Sequence, residues 1–278
     1  MLTEGIHIRI DQSEQLFKRL YINDGIQASD KITGNAGGTF EYLPRRFVPR
    51  KTWRQLNPDE LKMLSAAESN AALSETISLL RLPDHIIQKF KDVGVEKLED
   101  ADQLATLLVA RKEDFKELNS QLQNFLYSIV PAGGFLEFQG IRVGKGNLAT
   151  TAHTPGLKLV GMHIDNASGR DLLEFQSERR RLCINLGMEN RFFLFINKPV
   201  RQLVEMVSSR KPVDRQTYSN NNSLSDDFFN FYPDYPVVRI TQRPYDIYIA
   251  PTDCMIHDGS TEGSTKPDID MTFVGDFK

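Results

Sequence analysis

The spacing of hydrophobic residues changes near residue 131, and this change constrains the fold more than any other feature. Up to Val130 the apolar residues recur at three- and four-residue steps, most clearly from Asp102 onward, as on the buried face of a helix. After Pro131-Ala-Gly-Gly134 the spacing shifts toward two, which is typical of strands. We therefore predict an α+β chain, in which residues 1–130 are mainly helical and pack on a β-rich core of residues 131–278.

Three further segments of the chain favour helices. One begins at Asn57, where Asn-Pro-Asp-Glu supplies a cap, a proline in the first turn and early acidic residues. A second is predicted over Ser74–Leu82, ending before Pro83, and a third, short one over Leu203–Ser208. The polar and aromatic segment 219–235 is predicted to be a long loop, either a binding loop or a disordered insert.

The C-terminal half contains seven short runs with strand character. Their number suits a double-sheet jelly roll, a double-stranded β-helix. Gly187-Met-Glu-Asn190 between two of them is predicted to be a hairpin turn. The runs are Phe135–Val143, Leu157–Asp165, Arg181–Leu186, Arg191–Ile196, Val237–Thr241, Ile247–Ala250 and Ile269–Val274.

Composition excludes several classes of protein. The net charge of −3 disfavours a dedicated nucleic-acid binder, which is usually basic. No apolar run reaches the roughly 18 residues of a membrane span, and the N-terminus has no signal-peptide pattern. Cys183 and Cys254, the two cysteines, form no disulfide framework or CxxC pair, which favours a reducing, cytoplasmic location. Oligomeric state is left open.

Two histidine contexts point to a metal site. In the run that ends Gly-Met-His163-Ile-Asp165, residues two apart lie on one face of a strand, so the imidazole and the carboxylate point the same way. Such a pair is two thirds of a facial triad, although one HxD pair alone is weak evidence. His257 follows an apolar pair and precedes Asp-Gly, so it is presented at the end of a strand. Together the three residues predict a mononuclear metal centre.

From about Ile129 to Phe277 these residues resemble the iron(II)- and 2-oxoglutarate-dependent oxygenases, whose metal is held by an HxD pair and a distal histidine inside a jelly roll. The resemblance implies that His163, Asp165 and His257 are the catalytic metal ligands of Fe(II). It also implies that 2-oxoglutarate and O2 are co-substrates, with succinate and CO2 as products. Because Asp165 is present, hydroxylation or desaturation of a small molecule, such as an amino acid or a biosynthetic intermediate, is favoured over halogenation.

The far carboxylate of 2-oxoglutarate needs a buried cation and a hydroxyl group. In the family this cation is commonly an arginine beyond the distal histidine, and this chain departs from that pattern. Lys266 is the basic residue between His257 and the last strand, with Thr261 and Ser264 among the hydroxyl candidates. Arg181, on a predicted strand face with Cys183, is an equal alternative, and surface ion pairing stays open as an alternative for both.

Two other functions remain open. A cupin-like metal enzyme shares the jelly roll but uses no 2-oxo acid, and its ligand set usually includes more histidines. A non-enzymatic binding module would make the HxD pair accidental. Motifs of serine hydrolases, zinc proteases and phosphate-binding loops are absent. The substrate cannot be inferred, because loops set specificity.

Overall fold

Two β-sheets stacked face to face form the centre of the chain in the computed structural model. The described residues are 2–10, 16–29, 40–65, 72–156, 158–165, 179–212 and 221–278. They contain thirteen strands: β1 His7–Ile10, β2 Leu20–Ile22, β3 Ile26–Ala28, β4 Phe47–Pro49, β5 Arg54–Gln55, β6 Thr76–Arg81, β7 Leu136–Gly144, β8 Arg180–Asn185, β9 Arg191–Pro199, β10 Val238–Gln242, β11 Asp246–Ala250, β12 Met255–Ser260 and β13 Asp268–Gly275.

Six α-helices accompany the strands within the same ranges. They are α1 Pro58–Leu64, α2 Asp84–Val93, α3 Ala101–Ala110, α4 Lys112–Ser128, α5 Val200–Ser208 and α6 Asn221–Phe231. Short 3-10 helices span Leu16–Arg19, Leu73–Glu75, Val95–Lys97 and Thr252–Cys254. Every helix in the described part of the chain is too short or too polar to cross a lipid bilayer.

The larger sheet has the strand order β1-β6-β11-β8-β13-β7, and the smaller one has the order β12-β9-β10-β2-β5. All neighbours pair antiparallel except β1 and β6, which are parallel. Strands β3 and β4 form a separate antiparallel pair. The chain is therefore α+β with antiparallel sheets, in agreement with the fold class predicted from the sequence.

Buried apolar residues form three clusters that correspond to layers. One lies between the two sheets and joins Phe193 and Phe195 of β9 to Tyr248 of β11. The second lies on the outer face of the larger sheet, under α2 and α4. The third lies on the outer face of the smaller sheet, under α5 and α6. Each sheet thus buries both of its faces, which explains why many of its strands are apolar throughout.

The local signals for helix ends agree with the structure in two places. Asn57 and Glu60 form a reciprocal capping box at the start of α1, as Asn-Pro-Asp-Glu predicts. Gly94, with φ +85°, ends α2. The long apolar stripe after Asp102 is divided between α3 and α4, because the backbone at Arg111 leaves the helical conformation.

The predicted helix over Ser74–Leu82 is wrong. Residues Thr76–Arg81 are instead strand β6, which pairs with β1 on one side and β11 on the other. Ile77 is fully buried, and Leu79 is nearly so. The spacing of apolar residues does not distinguish a short buried strand from a helix in this segment. Pairing with the two neighbouring strands makes it a strand.

Residues 2–81 also differ from the expectation of a mainly helical N-terminal region. The described residues in this range contribute six strands, of which β1 and β6 extend the larger sheet and β2 and β5 the smaller one. Helices dominate only between residues 84 and 128. The domain boundary at residue 130 stays a prediction, but strands on its two sides share both large sheets.

Two predicted connections have a different structure. Gly187-Met-Glu-Asn190 is a turn, yet it is not a hairpin, since β8 and β9 belong to different sheets. Most of the segment 219–235, predicted to be a loop, is helix α6, whose Leu224, Phe228 and Phe229 are buried. Residues 219 and 220 lie outside the described ranges. The helix was missed because its polar residues mask an apolar face that packs on α5.

The predicted strand Leu157–Asp165 is not a continuous strand, and Leu157 itself lies outside the described residues. Residues 152–156 and 158–160 pair antiparallel, since Val160 N donates to Ala152 O (2.9 Å) and Thr154 N donates to Lys158 O (2.9 Å); we call these two segments the 152–160 hairpin. The chain then returns to the smaller sheet, where His163 forms an isolated antiparallel bridge with His257. This hairpin explains why the alternating pattern breaks before the HxD pair.

Candidate metal centre

The three residues singled out in the sequence lie together between the sheets. His163, Asp165 and His257 each offer a ligand atom, and these atoms lie within 4.8 Å of one another. The bridge between the two histidines has hydrogen bonds in both directions, at 3.0 Å and 2.7 Å. Asp165 N donates to Thr252 O at 3.1 Å, which fixes the backbone that carries the carboxylate. The cluster is therefore positioned by main-chain pairing between segments that are far apart in sequence.

Hydrogen bonds to carbonyl groups orient both imidazoles. His163 Nδ1 lies 2.7 Å from Gly161 O, and His257 Nδ1 lies 3.3 Å from Met255 O. These contacts favour the tautomer with the proton on Nδ1 and leave Nε2 available as a ligand. The two Nε2 atoms face the Asp165 carboxylate, at 3.3 Å from Oδ1 for His163 and 3.7 Å from Oδ2 for His257.

Gly161 allows the chain to enter the site. Its φ is +73°, and a Cβ atom there would lie 2.7 Å from Phe47 O. A side chain would therefore be both strained and obstructed at this position. Met162 N donates to the same carbonyl at 3.0 Å. This close approach to β4 fixes the position of the backbone immediately before His163.

The pKa values of the two histidines in the cluster are shifted in opposite directions. Burial lowers the pKa of His257 to about 3, so this imidazole is neutral. Burial also disfavours a charged His163, but the nearby Asp165 and Asp258 carboxylates outweigh it and raise the pKa of His163 to about 9. Burial opposes the charge on Asp165 as well, yet Arg181 and the two histidines hold its pKa well below the usual range. His163 must therefore release a proton when a metal ion binds.

Arg181 contacts the metal-facing carboxylate directly. Its Nε and Nη2 atoms donate to Asp165 Oδ2 at 3.1 Å and 2.8 Å. Oδ1 faces His163 Nε2 at 3.3 Å, so it is the oxygen placed to serve as a single ligand atom. Arg181 therefore neutralises Asp165 from the Oδ2 side.

Two neutral imidazoles and one carboxylate form the donor set of a 2-His-1-carboxylate facial triad, which suits Fe(II). Both the geometry and the donor set fit a single divalent transition metal. An ion held by three protein ligands would have its remaining coordination positions available for exogenous ligands.

The other residues predicted for 2-oxoglutarate binding lie in the connection between β12 and β13. Thr261 Oγ1 accepts a hydrogen bond from Leu148 N at 3.0 Å. Ser264 Oγ donates to Glu189 at 2.5 Å, and Lys266 N donates to the same carboxylate at 3.0 Å. The structure thus places Arg181 beside the candidate metal ligands, whereas the other three residues lie in a connection that is hydrogen-bonded to Leu148 and Glu189.

A cleft of about 720 Å³ borders that connection. It is lined by Ser264 and Lys266, and also by His153 in the 152–160 hairpin. His153 is exposed, with Nδ1 at 3.2 Å from Thr151 O, and it is not among the three clustered ligands. A metal role for His153 therefore has no support in the structure.

Sequence reasoning missed an interior charge cluster further along β9. Arg191 Nη1 lies 3.1 Å from Asp270 and its Nε lies 3.5 Å from Asp268, while Arg142 also contacts both aspartates. Arg191 Nη1 donates to Cys183 Sγ at 3.2 Å, and Arg191 Nε has no hydrogen-bond partner among the described residues. The available signal was the alternation of positions 191, 193 and 195, which places Arg191 on the same inward face as Phe193.

No family model and no curated protein sequence matches the chain. Among solved structures it is similar to the Kdo hydroxylase KdoO, a non-heme Fe(II) alphaketoglutarate dependent dioxygenase, in its apo form. The identity is 11%, the TM-score is 0.42, and 73% of this chain and 80% of that chain are covered. The complex of KdoO with alphaketoglutarate and Fe(III) gives 13% identity and a TM-score of 0.39 over the same shares.

Apo HygX from Streptomyces hygroscopicus is a third similar structure, with 11% identity and a TM-score of 0.29 over 72% of this chain and 81% of that chain. KdoO belongs by name to the class that the HxD and distal histidine resemble. Because all these TM-scores lie below 0.5, the function proposed below rests on the geometry of the site.

Proposed function

We propose that the chain is an Fe(II)- and 2-oxoglutarate-dependent oxygenase that hydroxylates or desaturates a small molecule. The observation that carries this proposal is the convergence of His163 Nε2, His257 Nε2 and an Asp165 carboxylate oxygen within 4.8 Å. The donor set and its burial match what a facial triad requires. Bound Fe(II) would supply the sites at which a 2-oxo acid and O2 react to oxidise a nearby C–H bond.

We also propose that the two sheets form a double-stranded β-helix. The larger sheet contains the order β7-β13-β8-β11, and the smaller one contains β12-β9-β10, with the His163 bridge on the free side of β12. Along the chain, β7, β8, β11 and β13 lie in one sheet, while the 163 segment, β9, β10 and β12 lie in the other. This winding supports a jelly roll whose strand next to β12 is interrupted by the 152–160 hairpin.

In this proposal each residue of the site has a separate role. His163 and His257 hold the ion through Nε2, since their Nδ1 atoms are engaged with carbonyl groups. Asp165 supplies one oxygen, while Arg181 occupies the other and keeps the carboxylate ionised. Phe193 lies against His257, with ring centroids 5.8 Å apart, and excludes water from one side of that imidazole.

For the far carboxylate of 2-oxoglutarate we propose Arg191 as the anchor. A desolvated carboxylate needs a buried cation, and Arg191 is 4% exposed between the sheets, with an Nε that lies 3.5 Å from Asp268 and makes no hydrogen bond among the described residues. Phe195 of the same strand pairs with His257, so Arg191 lies four residues further along β9, roughly 13 Å at the rise of a strand. An arginine side chain and a five-carbon diacid can span that distance together. The assignments to Lys266, Arg181, Thr261 and Ser264 stay predictions beside it.

Anaerobic titration with Fe(II) and 2-oxoglutarate tests the function. The parent is expected to develop the weak visible charge-transfer band of a chelated 2-oxo acid, and His163→Ala is expected to lose it. His85→Ala is the matched control, because this histidine is exposed on α2, away from the cluster. Absence of the band in the folded parent would contradict the oxygenase proposal. Metal-dependent turnover without 2-oxoglutarate would instead indicate a cupin-like enzyme.

The same band identifies the anchor when 2-oxoglutarate is titrated into the Fe(II)-loaded protein. Arg191→Lys keeps the charge but loses the planar donor group, so we expect the Kd of 2-oxoglutarate to rise about tenfold or more. Lys266→Ala is expected to leave this Kd unchanged. The reverse pattern would assign the carboxylate to Lys266 and refute the proposed anchor.

A further inference from the structure

We infer that Asp258 is a positioning residue for the metal ligand His163. Asp258 follows the distal histidine on β12, but its side chain lies behind the other imidazole, with Oδ2 3.7 Å from His163 Nδ1. This inference rests on the metal-binding role proposed for His163, Asp165 and His257. It concerns how one ligand is held, and it assigns Asp258 no contact with the metal or with a substrate.

The two oxygens of Asp258 have unequal surroundings. Oδ1 accepts three backbone hydrogen bonds, from Gly259 N (2.7 Å), Ala152 N (3.0 Å) and Thr151 N (3.1 Å). Oδ2 has no hydrogen-bond partner among the described residues, although the residue is only 1% exposed. Three donors on Oδ1 fix the orientation of the carboxylate, so Oδ2 is held toward the imidazole.

An unpartnered carboxylate oxygen in the interior costs free energy unless a positive or donor group faces it. The polar group that the structure places near Oδ2 is His163 Nδ1–H, which already donates to Gly161 O at 2.7 Å. A carboxylate behind a metal-bound imidazole fixes the ring and increases the electron density at the opposite nitrogen. Asp258 thus has the position from which it strengthens the ligand field of His163.

Asp258 has a second role, because its Oδ1 holds the strand segment at Thr151 where the 152–160 hairpin begins. The two roles can be separated. In Asp258→Asn the amide oxygen can keep all three backbone donors on the Oδ1 side. The NH2 group then faces His163 Nδ1–H, since the opposite flip would point two donors at three N–H groups. The substitution therefore preserves the three backbone hydrogen bonds and removes the negative charge behind the imidazole.

Titration with Co(II) alone, followed by visible absorption, tests this inference without any turnover. We expect Asp258→Asn to weaken Co(II) binding by about 10- to 100-fold, with the thermal midpoint of the metal-free protein close to that of the parent. Asp92→Asn, a carboxylate on α2 far along the chain, is the matched control and is expected to bind like the parent.

The outcomes distinguish this inference from the proposed function. If the parent binds Co(II) and His163→Ala does not, the metal site stands. If Asp258→Asn then binds Co(II) with the affinity of the parent, the positioning role is overturned. Asp258 would in that case only hold the neighbouring backbone through Oδ1. If the folded parent binds no Co(II), the metal site itself fails. An Asp258→Asn protein that has lost stability is compared with Asp258→Ser, whose loss of affinity must be at least as large if the charge matters.

Discussion

Asp246 is a buried charged residue whose contribution to stability depends on its arginine partners. Its carboxylate is 1% exposed and contacts Arg19 at 2.5 Å, Arg81 at 3.0 Å and Arg243 at 3.3 Å. Replacing it by asparagine removes the carboxylate charge that contacts the buried Arg19 guanidinium. We expect Asp246→Asn to lower the free energy of unfolding by about 3 kcal/mol, measured by urea denaturation.

Asp234→Asn is the comparison for Asp246. Asp234 also pairs with an arginine, Arg50, at 2.8 Å, but its side chain is 79% exposed. Exposed pairs contribute at most about 1 kcal/mol, so this variant is expected to be nearly as stable as the parent. Equal losses from the two variants would show that burial does not control the cost.

Glu189 predicts a pH dependence at the scale of a single residue. Hydrogen bonds from Ser264, Thr265 and Lys266 lower the pKa of Glu189 from 4.5 to about 2. Because the folded pKa is below the unfolded one, its contribution to stability is complete above pH 4.5 and is lost as the pH falls toward 2. We expect Glu189→Gln to be less stable than the parent at pH 7 and equally stable near pH 2, by urea denaturation. A difference that stays constant with pH would contradict this.

Helix α6 carries a prediction at the scale of an element, because the sequence indicated a loop there. Phe228 is fully buried and contacts Phe229, Tyr232 and Tyr235, with ring centroids 5.4 to 5.6 Å apart. Truncating a buried phenylalanine typically costs about 3 to 5 kcal/mol. We expect Phe228→Ala to destabilise the protein in that range, measured by thermal and urea unfolding.

Phe231→Ala is the control on the same helix, since Phe231 is 37% exposed. It is expected to cost less, because more than a third of its surface is already in contact with water. Similar small effects from both variants would be the result expected of a mobile loop, and would contradict a packed helix at 221–231.

The arrangement of the sheets makes a prediction for the whole molecule. Leu20 and Ile22 of β2 and Ile77 of β6 lie in the cluster that covers Phe193 and Tyr248. Removing residues 1–130 would expose this cluster and leave β10 and β11 each without one strand neighbour. We therefore expect residues 131–278 alone to show no cooperative unfolding transition by circular dichroism. A cooperative transition would support an independent core beginning near residue 131.

The candidate metal centre could be predicted from the sequence, because its residue types and their local spacing are those of a metal-binding site. The HxD spacing places two ligands on one side of an extended segment, and the context of His257 presents a third at a strand. Helix caps such as Asn57 were equally readable, since they depend on neighbours three residues away. Local rules suffice wherever the contacts that decide a conformation lie within one turn or one strand.

Tertiary structure alone decided the features that depend on distant partners. Thr76–Arg81 became a strand because β1 and β11 lie beside it, and 187–190 became a link between sheets because β8 and β9 pair with different strands. Arg181 pairs with the Asp165 carboxylate, and Arg191 pairs with Asp270 between the sheets. In both cases the partner that stabilises the buried charge comes from another segment of the chain. Sequence by itself determined the candidate ligand set; only the packing of the two sheets determined which charges surround it, because desolvation and pairing energies depend on what else is buried nearby.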